Sequence, residues 1–294
     1  MPTALVLSIR PLVAASIQAN LGRATHAAIL AQIAAVDPAF AARLHSSEGL
    51  KPLTVSNVLG LARRGGRAQI SPTQTYSLRV TLLCDTLETL ARAWTVESFG
   101  KLMLDGIAWQ VEQLAIDTAC HPWAGHESYE ALAAGALRRS GSVGNDWMFE
   151  FATPLTFRHG PMNQPLPLPD LVFGSLLDKW NAFAPLPLPS ELRETIASMV
   201  VSSFDLHSVV VPTKGGALQI GGVGRCSYRA LGGTSDWLAG IDLLARFAFY
   251  SGVGAGTGRG FGQTRLLPAA PDRHRAPAPH AGVAEDPQER ASAG

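Results

Sequence analysis

Apolar residues along this chain fall into short alternating runs and longer helical runs, and the two kinds recur in one order. Thr3 to Ile9 is a compact apolar run that reads as a strand. From about Thr25 to Val36, Ala, Leu and Ile recur at helical spacing. Asp37-Pro38 then breaks the helix and allows a second short one to Leu44. Leu53 to Leu59 and Thr75 to Leu82 alternate and carry β-branched residues, as strands do. The arginine-rich turn Arg63-Arg64-Gly65-Gly66-Arg67 lies between them. Asp85 to about Leu104 reads as mostly helical, with Asp85 or Thr86 as its cap, and Ile107 to Ile116 closes the set as a strand. The order is β-α-β-β-α-β, the split ferredoxin-like unit.

After a His/Trp/Gly segment (Cys120 to Glu127) and a short helix, the order recurs. Trp147 to Thr153 is a strand, and Leu166-Pro-Leu-Pro-Asp-Leu leads into a helix through about Phe183. Ser198 to Val211 and Leu218 to Ala230 are strands, Thr234 to Phe249 is a helix, and Phe261 to Leu267 is the closing strand. The two halves share element order and not sequence. The fold class expected is α+β, with two tandem ferredoxin-like (RRM-like) βαββαβ domains. Residues 1–125 form the first domain, 126–145 a linker, 146–267 the second domain, and 268–294 a tail. That tail is rich in Pro, Ala, Arg, Asp and Glu without apolar periodicity, a composition expected to be disordered.

Composition narrows the classes. The 294 residues are 47% hydrophobic, enough for two small domains with cores. A net charge of +1 argues against a globally basic nucleic-acid binder, so any polyanion site must be a local patch. Cys84, Cys120 and Cys226 are far apart and form no C-x-x-C pair, which argues against zinc and suits a reducing compartment. No stretch reaches the ~18 apolar residues of a membrane span. The expectation is a soluble cytoplasmic protein with no membrane association.

The most specific pattern is Gly252-Val-Gly-Ala-Gly-Thr-Gly-Arg-Gly-Phe-Gly262, with glycine at every second position. Such a loop loses side chains but keeps its amides, so it can approach a phosphate closely. It is not a Walker A loop, because no Lys-Ser or Lys-Thr follows. It is not the dinucleotide G-x-G-x-x-G either, because the spacing fails and a helix leads in while a strand follows. Arg259-Gly-Phe-Gly262 matches the opening of the RNP1 string, but Gln263 stands where an aromatic is expected. The structural alternative is a turn that lets a helix pack closely on a sheet. No G-x-S-x-G string supports a serine hydrolase.

The segment Gly252–Arg265 resembles the C-terminal glycine-rich loop of the CRISPR repeat-processing endoribonucleases of the RAMP superfamily. Phe149-Glu-Phe-Ala-Thr-Pro-Leu-Thr-Phe157, Leu166-Pro-Leu-Pro-Asp-Leu-Val-Phe173 and Leu177-Asp-Lys-Trp180 are similar to the opening strand and helix of that family's second half. Asp37-Pro-Ala-Phe-Ala-Ala-Arg-Leu-His45 with Gly49-Leu-Lys-Pro-Leu-Thr-Val-Ser56 is similar to its active-site region. The resemblance runs from about residue 1 to 267 and implies tandem ferredoxin-like domains. It also implies metal-independent cleavage of CRISPR repeat RNA by the ribose 2′-hydroxyl, giving 2′,3′-cyclic phosphate and 5′-hydroxyl ends, with no cofactor. The alternative is a non-catalytic RAMP-type subunit that binds a repeat-derived tag within an effector complex. CRISPR repeat RNA is the partner implied, with other effector subunits or a second copy as further partners.

The chemistry needs a base, an acid and a cation for the pentavalent phosphate. His45 is the first candidate, at a helix end, and Lys51 follows at the family's His-to-Lys spacing. Where some members carry a tyrosine on the preceding helix, Leu30 stands, and leucine transfers no proton. His26 lies one turn earlier on the same face and either supplies that group or is a half-buried structural histidine. For RNA binding the loop glycines Gly252, Gly254, Gly256, Gly258, Gly260 and Gly262 join Arg259, Arg265 and Arg225, with Lys214 nearby and Arg63, Arg64 and Arg67 as a second cluster. On this reading the loop holds RNA while the chemistry lies apart from it, around His45. His121 and His126 flank Trp123 without a third metal ligand, and His159 and His207 rank lower.

Overall fold

The computed structural model describes residues 1–268 except 65, 143, 161 and 214–216, with the backbone alone at 63, 64 and 159. Lys214, the side chains of Arg63, Arg64 and His159, and the proposed disordered tail beyond 268 therefore lie outside the described residues. In chain order the first half comprises β1 (Thr3–Pro11), β2 (Ala15–Gln18), α1 (Gly22–Val36), α2 (Pro38–Ser46), β3 (Leu53–Val55), β4 (Arg63–Arg64), β5 (Arg67–Ile70) and β6 (Tyr76–Leu82). It continues with α3 (Asp85–Ala91), α4 (Val96–Phe99), β7 (Lys101–Leu104), β8 (Ile107–Ala115), β9 (Gly125–His126) and α5 (Tyr129–Arg139). The second half comprises β10 (Asp146–Leu155), β11 (Phe157–His159), β12 (Met162–Gln164), α6 (Pro169–Phe183), α7 (Leu192–Ala197), β13 (Met199–Pro212), β14 (Leu218–Ala230), α8 (Ser235–Ser251) and β15 (Thr264–Leu267).

The first sheet runs β3-β6-β1-β8-β7 and the second β13-β14-β10-β15. Leaving out the added edge strand β7, each has its four strands in the order second, third, first, fourth. Both halves are ferredoxin-like, as the element order predicted.

One stretch departs from the sequence reading. The helix expected over 85–104 ends at Ala91, a second turn of helix spans Val96–Phe99, and Lys101–Leu104 is strand β7. Thr95 starts that short helix with a reciprocal capping box to Ser98. Asp105 and Gly106, with φ of 53° and 77°, then close a β7–β8 hairpin. Asp-Gly between two apolar runs is the hairpin signal that a helical reading overrides.

β1 explains how the halves meet. Leu5, Leu7 and Ile9 point into the first core with Ile29 and Ile33 of α1. Ala4, on the opposite face, joins the second core with Tyr129, Trp180 and Phe247. The strand is apolar at successive positions because both of its faces are covered. The Tyr129 hydroxyl donates to the Leu83 carbonyl at 2.8 Å across the same junction.

Candidate active site

The α1–α2 corner places two of the three candidate catalytic side chains. Pro38 occupies the first turn of α2, and the Asp37 side chain accepts from the Phe40 amide at 2.8 Å, so one residue ends α1 and caps α2. α2 buries Ala41 and Leu44 and leaves His45 exposed in its last turn. The Lys51 ammonium donates to the carbonyls of Leu44 at 2.9 Å and His45 at 3.0 Å. It thereby satisfies the end of α2, where a cation also complements the helix dipole. One of its three N–H donors remains.

His26 lies half-buried on α1. Its Nδ1 is buried and makes no hydrogen bond among the described residues. Burial pushes its pKa down to about 4, and Lys51, His45 and Arg259 each push in the same direction, with only the Gly258 backbone opposing. The ring is therefore neutral near pH 7, with a nitrogen free to take a proton. Two of these groups, His45 and Lys51, come from one stretch of the first half, and the third, Arg259, from the glycine loop. Leu30, one turn on, is a partly buried member of the first core, consistent with its apolar identity.

The glycine loop is not the open phosphate cradle its sequence suggests. Most of its amides are spent within the protein. The Val253 amide donates to Gly262, Ala255 to Thr156, Gly260 to Val55, Phe261 to Gly256 and Gly262 to Pro154. Gly252, Gly254, Gly256, Gly260 and Gly262 all have φ between 59° and 93°, which side-chain-bearing residues seldom adopt. The loop docks on the first half instead. Gly260 bridges Ser56 in parallel, just beyond β3, and a Cβ on Gly22 would run into the Arg259 carbonyl. A Cβ on Gly258 would lie 3.4 Å from the Leu53 carbonyl and 3.7 Å from the His26 Nδ1. The loop and the first half's candidate residues are neighbours: Gly258 and Arg259 stand beside His26.

The proposed RNA-contacting cations divide. Arg259 and Arg225 are exposed and have no ion-pair partner among the described residues. Arg265 is partly buried, bonds Glu150 at 2.5 Å and stacks 4.8 Å above the Trp123 ring, so it is committed to the protein. Arg67 bonds the Ser16 carbonyl and hydroxyl. His126 faces Asp117 at 3.3 Å, and the His121 Nδ1 accepts from the Trp123 amide. His207 is exposed on β13. No group of three potential metal ligands occurs among the described residues, and no helix there is long and apolar enough to cross a membrane.

Sequence reasoning missed the residues that join loop to sheet: Arg79, Ser56 and Asn57, with Gln263 noted only as a mismatch. A glutamine in place of an aromatic after Arg-Gly-Phe-Gly was the available signal, since it is buried against Arg79.

Comparison with known proteins follows the same division. Residues 1–134 match the CRISPR Cas6 N-terminal domain, and residues 149–264 match the CRISPR-associated endoribonuclease Cas6 model. The chain belongs to the Cas6 family. A structure of a Cas6 product complex is similar with a TM-score of 0.74 at 28% identity, covering 91% of this chain and 100% of that one. A Thermus thermophilus Cas6 structure gives 0.68 at 28%, covering 91% and 98%. A Cas6-related protein of Pyrococcus furiosus, at 13% identity and 0.58, shares the fold over 91% of this chain and 99% of its own. No curated protein matches the chain.

Proposed function

We propose that this protein cuts CRISPR precursor RNA within its repeats without a metal ion, using the ribose 2′-hydroxyl as nucleophile. The observation that carries this reading is the setting of His26: a half-buried imidazole beside Gly258 of the loop, its Nδ1 without a hydrogen-bond partner among the described residues, with burial first and then Lys51, His45 and Arg259 lowering its pKa. Family membership supplies the endoribonuclease class, and the Cas6 product complex among the similar structures supports RNA as the partner.

The neutral His26 takes the proton of the 2′-hydroxyl beside the scissile bond. The freed oxygen attacks phosphorus, and the phosphate becomes pentavalent with added negative charge. Arg259 and the remaining Lys51 N–H donor stabilise that charge, as fixed cations do in a partly enclosed site. The bond to the 5′-oxygen then breaks, and His45 in its protonated form supplies the proton that leaves a 5′-hydroxyl. The other product end is a 2′,3′-cyclic phosphate.

An approaching phosphate opposes the part of the depression that comes from Lys51, His45 and Arg259, while burial, the main cause of the low pKa, remains. In single-turnover cleavage of a labelled repeat RNA, His26→Ala and His45→Ala should each lower the rate by about 10²–10⁴-fold, the usual worth of a positioned acid or base. RNA affinity should stay close to wild type. Undiminished cleavage by His45→Ala would remove it from the mechanism, and the same result for His26→Ala would make that residue structural.

A further inference from the structure

Arg79, in the middle of β6, is 1% exposed. Its guanidinium meets no carboxylate among the described residues: Nη1 donates to Gln263 Oε1 at 2.5 Å, Nη2 to the Phe249 carbonyl at 2.6 Å, and Nε to the Trp123 carbonyl at 2.8 Å. The same group lies 4.5 Å from the Phe249 ring centroid and 5.4 Å from that of Trp123. Burial pushes its pKa down to about 9. Enclosing a cation without a counter-ion costs several kcal/mol that hydrogen bonds and ring faces only partly return. An apolar side chain would hold two units together at lower cost, so the arginine needs another account.

The partners of Arg79 give one. Phe249 lies in the last turn of α8, three residues before Gly252, and Gln263 is the residue that leaves the glycine loop. One guanidinium from the first sheet therefore grips both ends of a loop from the second unit. Its backbone fixes the surface on which that loop rests: the Arg79 amide donates to the Ser56 hydroxyl, and the Ser56 amide donates to the Arg79 carbonyl, each at 2.8 Å. Ser56 is in turn the residue that bridges Gly260. From Gln263 the contact extends to Thr54 at 3.5 Å, and Thr54 and Thr81 share a hydroxyl–hydroxyl bond at 2.5 Å. Gly258 and Arg259 hang between these fixed points, beside His26.

We propose that Arg79 is a positioning residue for RNA cleavage: by holding Phe249 and Gln263 from the first sheet, it sets Gly258 and Arg259 at the correct place against His26. This rests on the cleavage reading above. Arg79 touches no RNA and acts only through the loop, so displacing it should lower turnover far more than binding. A shift of about 1 Å at a reacting centre is worth up to about 100-fold in rate.

The test compares wild type, Arg79→Lys, Arg259→Ala and the double variant, each shown to be folded by circular dichroism and thermal melting. Arg79→Lys keeps the charge but loses the fork that reaches Gln263 and Phe249 together. We expect its single-turnover rate to fall about 10- to 100-fold, with repeat-RNA affinity little changed. In the Arg259→Ala background the same substitution should cost only a small part of that factor, because the two act as one unit. A separate readout needs no RNA. The His26 ring resonance, followed by NMR titration of the free protein, should have its midpoint shift upward in Arg79→Lys as Arg259 moves away. Multiplicative rate losses with an unmoved His26 midpoint would overturn the proposal. If wild type itself leaves repeat RNA intact, the cleavage reading fails while the His26 titration still decides whether Arg79 sets the loop. Should Arg79→Lys not fold, Gln263→Met removes the other half of the grip and carries the same test.

Discussion

His26 carries the sharpest consequence at the scale of single residues. The folded protein holds it neutral down to about pH 4, whereas an unfolded histidine takes a proton near 6.5. Between those values the unfolded chain binds more protons, so stability falls as pH drops through that window and the loss ends below it. Urea unfolding at several pH values between 7 and 4 should show this slope, and His26→Gln should flatten it. An unchanged slope would mean that His26 is solvated in the folded protein. Position and chemistry differ in how legible they are. The family resemblance set the missing tyrosine at Leu30, and helical spacing put His26 on the same face. Its depressed pKa depends on burial and on Arg259, which is more than 230 residues away in the chain, and no local pattern reports that. His45 was the first choice from sequence, and it proves to be the more exposed of the pair.

At the scale of elements, the glycine loop reverses part of its first interpretation. Alternate glycines promised free amides, but the amides bond Gly262, Thr156, Val55 and Pro154. What the glycines supply is left-handed backbone and room for close approach. A Cβ at Gly262 would collide with the Val253 carbonyl, and one at Gly254 with the Thr156 carbonyl. Gly106 also has a positive φ, 77°, but open space around it. Gly106→Ala should therefore cost only the backbone strain, about 1–3 kcal/mol, with RNA cleavage intact. Gly262→Ala should cost more in thermal or denaturant unfolding and should also slow cleavage, because the loop that carries Arg259 must shift. Equal losses in the two variants would show that the loop has space to spare. The glycine spacing was readable, but the destinations of the amides were not, because they are set by tertiary contacts.

At the scale of the whole molecule, two ferredoxin-like units meet along a seam that carries the candidate site. The repeated βαββαβ order was legible because strand and helix periods are local. The Lys101–Leu104 strand was lost to a helical reading, although Asp105-Gly106 marked its hairpin. The docking of the loop on the Ser56 edge was not read: the Ser56–Gly260 bridge joins backbone groups with no side-chain signature, and the one side-chain hint, Gln263, was taken only as a mismatch. β1 held a hint in its unbroken apolar run, the mark of a strand covered on both faces. The seam brings His26 of one unit beside Gly258 and Arg259 of the other.

The most direct measurement is cleavage of an end-labelled repeat RNA in EDTA, beside an otherwise identical RNA with one 2′-deoxy sugar at the cut site. The account predicts that the first is cut to 2′,3′-cyclic phosphate and 5′-hydroxyl ends. The second should bind with the same affinity and remain whole. Cutting of the deoxy RNA at that site, or loss of cleavage of the normal RNA in EDTA, would contradict it.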